Sequence, residues 1–151
     1  MPDAIDRRIL RHLLVDPDIP NEALAVRAGV TSATLWRRLE KLRATGIIRG
    51  TEADIDWRKL GFEVEVSLRF TLDKTNPRAF DEFQAAARAV PEVTEIQSFL
   101  GSVDFRLSVI ARDMAHWQQV YRDSILTLPH VADSDALMLV STIKNRAELP
   151  L

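Results

Sequence analysis

The sequence predicts an α+β protein made of two modules, a helical one followed by one built around β-strands. Three observations support this class. Residues 1–50 contain three short amphipathic stretches of helical period, separated by turn residues. Residues 62–72 then alternate strictly between apolar and polar side chains, as a half-buried strand does. Charge also divides the chain: residues 1–50 hold nine basic against six acidic residues, whereas residues 51–151 hold eleven against sixteen.

Composition limits the possible functions of the chain. Its 151 residues are 46% hydrophobic, which is enough to bury the core of one ordinary domain or two small ones. The absence of cysteine excludes disulfides, thiolate metal sites and a cysteine nucleophile. No apolar run reaches the ~18–20 residues that cross a bilayer, and the N-terminus lacks a signal-peptide apolar region. We therefore expect a cytoplasmic protein without a membrane partner, metal or cofactor.

The first module has the pattern of a helix-turn-helix. Apolar residues recur at helical spacing in three consecutive stretches, and the second and third are separated only by a tight turn. A residue before proline avoids the helical region, Ser, Thr, Asp and Asn favour helix N-caps, and glycine favours the residue after a helix. The predicted punctuation is, in order, Asp16-Pro17 as a stop, Asn21 as a cap, Gly29 as a stop, Thr31 as a cap and Gly46 as a stop.

The third helix carries a pattern typical of DNA recognition. Small hydroxyl residues lie in its first turn and basic residues follow, while Glu40 is the only acidic residue within 27–49. In a helix-turn-helix this helix enters the major groove, so its early residues meet bases and its cations meet phosphates. Trp36 is predicted to belong to the core, because it lies on the apolar stripe with Leu35, Leu39 and Leu42; the alternative is that it intercalates between bases. The predicted DNA contacts are Thr31, Ser32, Thr34, Arg37, Arg38 and Lys41.

A wing and a linker are expected to follow this helix. Residues 47–51 are β-prone and occupy the place where a winged variant has its wing strand. Residues 52–61 resemble a connecting segment that ends at Gly61. We therefore predict a DNA-binding domain over residues 1–50, a linker with a wing strand over 51–61 and a second domain over 62–151.

The second domain is predicted to be a ferredoxin-like βαββαβ fold. After the strand at 62–72, Asn76-Pro77 opens a helix that Pro91 closes, and two strands follow at 93–100 and 105–111. Asp113 caps a second helix, and residues 136–143 form the last strand. Both helices lie on one sheet face, so the other face, with Arg69, Arg106, Ser108 and Ile110, is either hydrated or covered by a second copy of the chain.

Several of these motifs together resemble the Lrp/AsnC family of bacterial and archaeal regulators. The resemblance covers nearly the whole chain, and the order and spacing of the motifs are more specific than any one of them. In the N-terminal half they are Asp6-x-x-Ile9-Leu10, the Thr31-capped helix and Leu42-x-x-x-Gly46-x-Ile48. In the C-terminal half they are Pro91-Glu92-Val93, Gly101-x-x-Asp104, Leu128-Pro129-x-Val131 and Lys144.

The resemblance implies a transcriptional regulator that binds double-stranded DNA, forms homodimers and in some cases octamers, and responds to a small effector such as an amino acid. It places DNA contacts at Thr31, Ser32, Thr34, Arg37 and Arg38, and the effector at Gly101 and Asp104 with Ser134 approaching. Chemically, Asp104 would accept from the effector's ammonium, and backbone N–H groups around Gly101-Ser102 would receive its carboxylate. The alternative is that Gly101 and Asp104 serve only the turn.

Two other functions remain as alternatives. One is a stand-alone effector-binding or interaction module whose helix-turn-helix is only structural; the excess of basic residues in 27–49 argues against it. The other is a tetrapyrrole-processing enzyme on the same scaffold. Its case is weak because the three histidines, His12, His116 and His130, share no metal-ligand spacing and suggest no catalytic triad.

Overall fold

The computed structural model describes residues 1–145 and 149. It consists of two compact units: Met1–Asp54 together with the segment from Ile143, and Ile55–Thr142. The division lies inside the predicted linker, residues 51–61. In the part of the chain that is described, no helix is long and apolar enough to cross a membrane.

The first unit is a bundle of three helices, α1 (Ala4–Val15), α2 (Asn21–Ala28) and α3 (Ser32–Ala44). The apolar stripes recognised in the sequence meet in one core, so the predicted helix-turn-helix is present. Burial of these stripes supplies most of the stability of such short helices. The core consists of Ile9, Ile19, Leu24, Ala25, Ala28, Leu35 and Leu39, with Ile5, Leu13, Ala23, Val30 and Ile48 packed against it.

The ends of these helices follow the predicted punctuation with one shift. Asn21 is the first residue of α2 and not its cap; Pro20 occupies the cap position, and no side chain caps this helix. Gly29 ends α2 in the left-handed conformation (φ 68°), as predicted. Thr31 caps α3, its hydroxyl oxygen accepting a hydrogen bond from the Thr34 N–H at 3.2 Å.

The predicted wing strand is absent. Residues 1–56, all of which are described, contain no strand that could pair with the β-prone run at 47–51. The N–H groups of Ile47 and Ile48 instead both donate to the Leu42 carbonyl, at 3.0 and 3.1 Å. This run therefore terminates α3, because its backbone donors already satisfy a helix carbonyl and its isoleucine at 48 covers the core.

The second unit is the predicted βαββαβ fold. It contains β1 (Val64–Leu72), α4 (Ala79–Arg88), β2 (Val93–Ser98), β3 (Phe105–Ala111), α5 (Met114–Val120) and β4 (Val131–Met138). The sheet order is β2-β3-β1-β4, and all neighbouring strands are antiparallel. A 3₁₀ turn, Trp57–Leu60, precedes β1. The helices thus connect strands that are not adjacent, as in ferredoxin-like domains.

The core of this unit lies between the helices and one sheet face. Val66, Leu68 and Phe70 of β1 are buried, in agreement with the alternation of the sequence. Phe83 of α4 stacks on Phe105 with ring centroids 4.9 Å apart and also contacts Phe70, at 5.1 Å. This cluster lies beneath the end of the β2–β3 hairpin and gives the loop at 101–104 a rigid support.

The bounds of four predicted elements in this unit shift; β1 begins at Val64 and not at 62, and β2 ends at Ser98 and not at 100. Helix α4 begins at Ala79 because the Asn76 side chain accepts the Arg78 N–H at 2.8 Å and forms a turn first. Strand β4 spans 131–138 and not 136–143, since it pairs with β1 from Leu72↔Val131 to Val66↔Met138. Its polar residues at 133–135 are compatible with a strand because β4 is an edge strand with exposed side chains.

The helix that Asp113 caps changes geometry after about two turns. Residues Tyr121–Ile125 form a π-helical turn, in which the Leu126 N–H donates to the Tyr121 carbonyl at 2.8 Å. The wider turn accommodates one additional residue. Ile125 is consequently buried, and Leu128 after it, in line with Trp117 and Val120.

Candidate functional sites

One side of α3 is free of the core and carries three basic residues, Arg37, Lys41 and Arg43. Arg37 and Lys41 are exposed on it, and within the described chain neither forms a salt bridge. Glu40 lies between them but is paired with Arg43 at 3.0 Å, so its charge is compensated. The exposed side consists of Ser32, Ala33, Trp36, Arg37, Glu40, Lys41, Arg43 and Ala44.

Arg38, predicted as a DNA contact, forms salt bridges with two aspartates instead. Its Nη1 donates to Asp3 Oδ2 at 2.7 Å and to Asp6 Oδ1 at 2.8 Å, and only 22% of its side chain is exposed. Asp3 and Asp6 also form the capping box of α1, each accepting the other's backbone N–H. Arg38 therefore joins α3 to the start of α1 and orients the exposed side of α3 without lying on it.

The Asp3 carboxylate that holds Arg38 stays ionised to lower pH than an ordinary aspartate. The backbone N–H of Asp6 and the Arg38 guanidinium both donate to Asp3, and together they hold the pKa of Asp3 below its ordinary value of 3.8. The contact thus persists at neutral pH. It weakens only in acid, as pH falls through the lowered pKa of Asp3.

A second arginine supports the turn of the helix-turn-helix. Arg8 Nη1 donates to the Ala28 carbonyl at 3.0 Å, which satisfies an orphan acceptor at the end of α2. A Cβ added to Gly29 would lie 3.2 Å from the same nitrogen. Gly29 is thus required both for its left-handed conformation and for the close approach of Arg8.

Trp36 corrects the sequence-based prediction. It was expected in the core, yet 64% of its surface is exposed. The buried stripe of α3 runs through Leu35, Leu39 and Leu42, and a helix turns by about 100° per residue, so position 36 points away from it. The adjacency of Trp36 to Leu35 in sequence did not place the two side chains on the same side of the helix.

Thr31, Ser32 and Thr34 occupy the start of α3 in different environments. The Thr31 hydroxyl donates to Thr34 Oγ1 at 3.0 Å while it caps the helix, so it is largely used within the turn. Ser32 is exposed and Thr34 is half-buried. Of the three, Ser32 therefore offers the most accessible hydroxyl.

The loop between β2 and β3 is held in place by a buried carboxylate. Asp104 is 4% exposed; its Oδ2 accepts the Leu72 N–H and its Oδ1 accepts the Lys74 ammonium, both at 2.9 Å. Burial raises its pKa, but these two donors outweigh burial and bring the pKa of Asp104 below 3.8. The carboxylate ties the loop to the end of β1 and is therefore not free to receive an effector's ammonium.

The same loop contains two backbone N–H groups, those of Gly101 and Ser102, that are available to a ligand. Gly101 has φ 146°, which favours glycine, and a Cβ there would meet nothing within 4 Å. Within the described chain, the N–H groups of Gly101 and Ser102 take part in no hydrogen bond, while the Ser102 carbonyl accepts from the Thr71 hydroxyl at 3.0 Å. The loop is thus anchored through carbonyl and carboxylate groups, and the N–H groups of these two exposed residues have no hydrogen-bond partner within the described chain.

Ser134 lies at the same end of the sheet but on the other side of β1. It pairs with Phe70 in the β1–β4 ladder, and Phe70 pairs with Phe105 on its opposite side. Two strand spacings, about 10 Å, therefore separate Ser134 from the start of β3. The chain brings Ser134 and the loop to one sheet end without direct contact between them.

The open face of the sheet carries a row of charges across all four strands. Arg69 of β1 and Arg106 of β3 are cross-strand neighbours, and each is paired on its outer side, Arg69 with Asp135 and Arg106 with Glu95. Leu137 lies beside Ser67 on the same face and is 46% exposed. The face is thus mixed, as the sequence predicts, and the two ion pairs largely neutralise it.

The histidines form no catalytic cluster. His116 Nδ1 accepts the Arg112 N–H at 3.1 Å, and His130 pairs with Glu82. Among the described residues, no group of three or more His, Asp or Glu side chains is arranged to hold a metal ion.

Comparison with known families assigns a function to each unit. Residues 2–49 match the family described as winged helix-turn-helix DNA-binding, and residues 65–149 match the Lrp/AsnC ligand binding domain. The fold and its sites therefore define a class of protein, the transcriptional regulators that couple a DNA-binding unit to a ligand-binding unit. The chain belongs to the Lrp/AsnC family.

Known regulators resemble the chain over nearly its full length. It is 30% identical over 141 residues to the proline dehydrogenase transcriptional activator of Rhodobacter capsulatus, covering 93% of this chain and 92% of that one. It is 28% identical to the leucine-responsive regulatory protein of Escherichia coli K12, covering 97% and 90%.

Solved structures agree with this assignment. A transcriptional regulator of Neisseria meningitidis in complex with L-Met has a TM-score of 0.90 and 25% identity, over 99% of this chain and 97% of that one. An AsnC family regulator from Agrobacterium tumefaciens has a TM-score of 0.87 and 29% identity, over 98% and 96%.

Proposed function

We propose that the protein acts in the cytoplasm as a homodimeric, non-enzymatic regulator. It contacts DNA through the exposed side of α3 and senses an amino acid at the loop of residues 101–104. The observation that carries the DNA contact is the exposed pair Arg37 and Lys41 on a Thr31-capped helix. Cations without carboxylate partners remain available to phosphates, whereas Arg38 does not.

In this proposal the early residues of α3 face base edges and its cations face phosphates. Ser32 supplies an exposed hydroxyl, and Thr31 and Thr34 contribute through the shape of the first turn. Arg38 acts as a positioning residue, because its contact with α1 sets the orientation of the helix. This assignment gives different roles to the adjacent Arg37 and Arg38, which the sequence analysis predicted to have the same role.

Salt-dependent binding tests the assignment of Arg37. A duplex enriched from a randomised pool with the wild-type protein is titrated by fluorescence anisotropy at several salt concentrations. Loss of one phosphate contact lowers the slope of log K against log salt by about 0.9 per chain, so Arg37→Ala should flatten it. Arg88→Ala, an exposed arginine on α4, is the matched control and should leave the slope unchanged. An unchanged slope for Arg37→Ala would refute the assignment.

The open sheet face supports the proposal of a homodimer. It combines neutralised charges with the exposed apolar residue Leu137, a composition suited to contact with a copy of itself. Two copies would also present two recognition helices to two half-sites of DNA. Larger assemblies, up to octamers, would be built from such dimers.

Sedimentation velocity tests the dimer. The wild-type protein should sediment with a mass of twice 17.1 kDa, or a multiple of it. Leu137→Asp places a charge on the open face and should shift the mass towards one chain. Leu126→Asp, at an exposed leucine following α5, is the control and should not. A monomeric wild-type protein at micromolar concentration would contradict the proposal.

The N–H groups of Gly101 and Ser102, which have no hydrogen-bond partner within the described chain, support the proposal of an amino-acid effector. A carboxylate accepts well from consecutive backbone N–H groups, and Asp104 holds them in place. Ser134 approaches from β4, and a neighbouring dimer would close the site. The N. meningitidis regulator, solved with L-Met, shows that this architecture accommodates an amino acid.

A thermal-shift screen of the twenty amino acids tests this part. A ligand present at about 100 times its Kd stabilises a protein by about 2.7 kcal/mol, a shift of several degrees. Gly101→Ala should abolish the shift caused by the responding amino acid. If no amino acid shifts the melting temperature, the effector belongs to another chemical class and the proposal fails.

A stand-alone interaction module is the second candidate. It is favoured only by the exposed Trp36, since an exposed indole is common at protein interfaces. Failure of the wild-type protein to retain any duplex at low salt would favour it over DNA binding.

A further inference from the structure

Trp36 is the one large apolar side chain on the basic side of α3, and it is not part of the hydrophobic core. It is 64% exposed, whereas the other apolar residues of this helix with large side chains, Leu35, Leu39 and Leu42, are at most 3% exposed. An exposed indole costs free energy in water unless something covers it. The residues around Trp36 indicate which kind of molecule covers the indole.

The neighbours of Trp36 are those of a DNA-facing residue. Ser32 and Ala33 lie one turn before it on the same side of the helix, and Arg37 follows it directly. Glu40, one turn after it, is neutralised by Arg43 at 3.0 Å. The indole is therefore surrounded by small groups and net positive charge, which complements a polyanion and not an apolar protein surface.

We infer that Trp36 reads thymine in the major groove through apolar contact with the 5-methyl group. This inference rests on the proposed DNA contact of α3. Trp36 is the fifth residue of the helix, about 6 Å along the axis from Ser32, which keeps it within the N-terminal part that reaches base edges. The thymine methyl is the apolar group that the major groove displays, and apolar side chains recognise it.

This role differs from that of the cations beside it. Arg37 and Lys41 add affinity that depends on salt and not on sequence. Trp36 neutralises no phosphate, so it adds sequence preference without salt dependence. The two contributions can be measured separately on the same helix.

The test uses the duplex enriched with the wild-type protein, in which each thymine is replaced in turn by deoxyuridine, which lacks the methyl group. At one position in each half-site, the replacement should weaken wild-type binding about fourfold. Trp36→Ala should weaken binding on the order of tenfold with an unchanged salt slope, and the same deoxyuridine replacement should then have no further effect. Trp36→Phe, which keeps an apolar ring, should retain part of the thymine preference.

The outcomes distinguish this inference from the proposed function. If the wild-type protein enriches no duplex, DNA binding by α3 fails and the role of Trp36 fails with it. If the wild-type protein binds DNA, but every deoxyuridine replacement changes its affinity and that of Trp36→Ala by the same factor, only the inference about Trp36 is overturned. A loss of affinity in Trp36→Ala that is equal for thymine and deoxyuridine duplexes also overturns it. Because Trp36 is exposed, Trp36→Ala should melt at the wild-type temperature, and Val26→Ala, at an exposed apolar residue of α2, is the control.

Discussion

The two candidate sites are held in place by the same device but leave different groups for their ligands. On α3, Arg38 is bound by Asp3 and Asp6, and the neighbouring side chains Trp36, Arg37 and Lys41 remain exposed. In the 101–104 loop, Asp104 is bound to Leu72 and Lys74, and backbone N–H groups remain available.

This difference separates two kinds of recognition. Recognition by side chains changes with each substitution on the helix surface, so related proteins can acquire new DNA specificity without altering the fold. Recognition by backbone depends on the shape of the loop, so it tolerates changes of side chain but not changes of conformation. The following substitutions test this contrast.

The largest effect is expected for Asp104→Ala. It leaves the buried Leu72 N–H without an acceptor, which costs about 1–3 kcal/mol of unfolding free energy at pH 7. Because the folded pKa of Asp104 is lowered, its contribution is present above the unfolded value near 3.9 and is lost as pH falls through the folded pKa. Urea denaturation at pH 7 and pH 3 should show the difference between wild type and variant shrinking in acid. A constant difference would contradict this account.

Substitutions in the loop itself separate backbone from side-chain recognition. Gly101→Ala forces a Cβ onto a backbone with φ 146° and should cost about 1 kcal/mol or more, with loss of effector binding. Ser102→Ala keeps the N–H and should change stability by less than about 0.5 kcal/mol, with effector binding intact. Calorimetric titration with the responding amino acid measures both. Loss of binding in Ser102→Ala would show that the hydroxyl, not the backbone, holds the ligand.

On α3 the effect on stability is expected to be smaller than that of Asp104→Ala. Arg38→Ala removes the ion pairs with Asp3 and Asp6 and should cost about 1 kcal/mol, since solvent screens the exposed Asp3, and Asp6 keeps the Asp3 N–H as a donor. It should weaken DNA binding without changing the salt slope, whereas Arg37→Ala changes the slope without changing stability. Thermal melts paired with anisotropy titrations check both statements. If Arg38→Ala flattened the slope of log K against log salt, Arg38 would have to be counted among the residues that contact phosphates.

Local patterns in the sequence predicted most of the fold. Thr31 as a cap, Gly29 as a stop and the alternation along β1 are interactions between neighbours in sequence, and each is present. Strand β4 was displaced because its pairing is set by β1, about sixty residues earlier, and not by its own apolar run. A wing was expected from β-propensity, but residues 1–56 contain no strand that could pair with the run at 47–51.

Sequence could not predict the partners of the site residues. Arg38 meets Asp3 across 35 positions, and Asp104 meets Leu72 across 32, so nothing in the adjacent residues reveals either contact. The exposure of Trp36 could have been predicted from helical spacing, because Trp36 is offset from the buried stripe of Leu35, Leu39 and Leu42. Its size and hydrophobicity suggested the wrong environment.

The π-helical turn at Tyr121–Ile125 has a consequence for comparing relatives. Deleting a single residue there would relax the segment into ordinary α geometry, because the extra residue is what widens the turn. The chain could then keep Ile125 and Leu128 inward without a shift in the flanking elements. Homologues that are one residue shorter in this stretch would thus retain the domain unchanged, and an alignment gap belongs at this turn and not in the loops on either side.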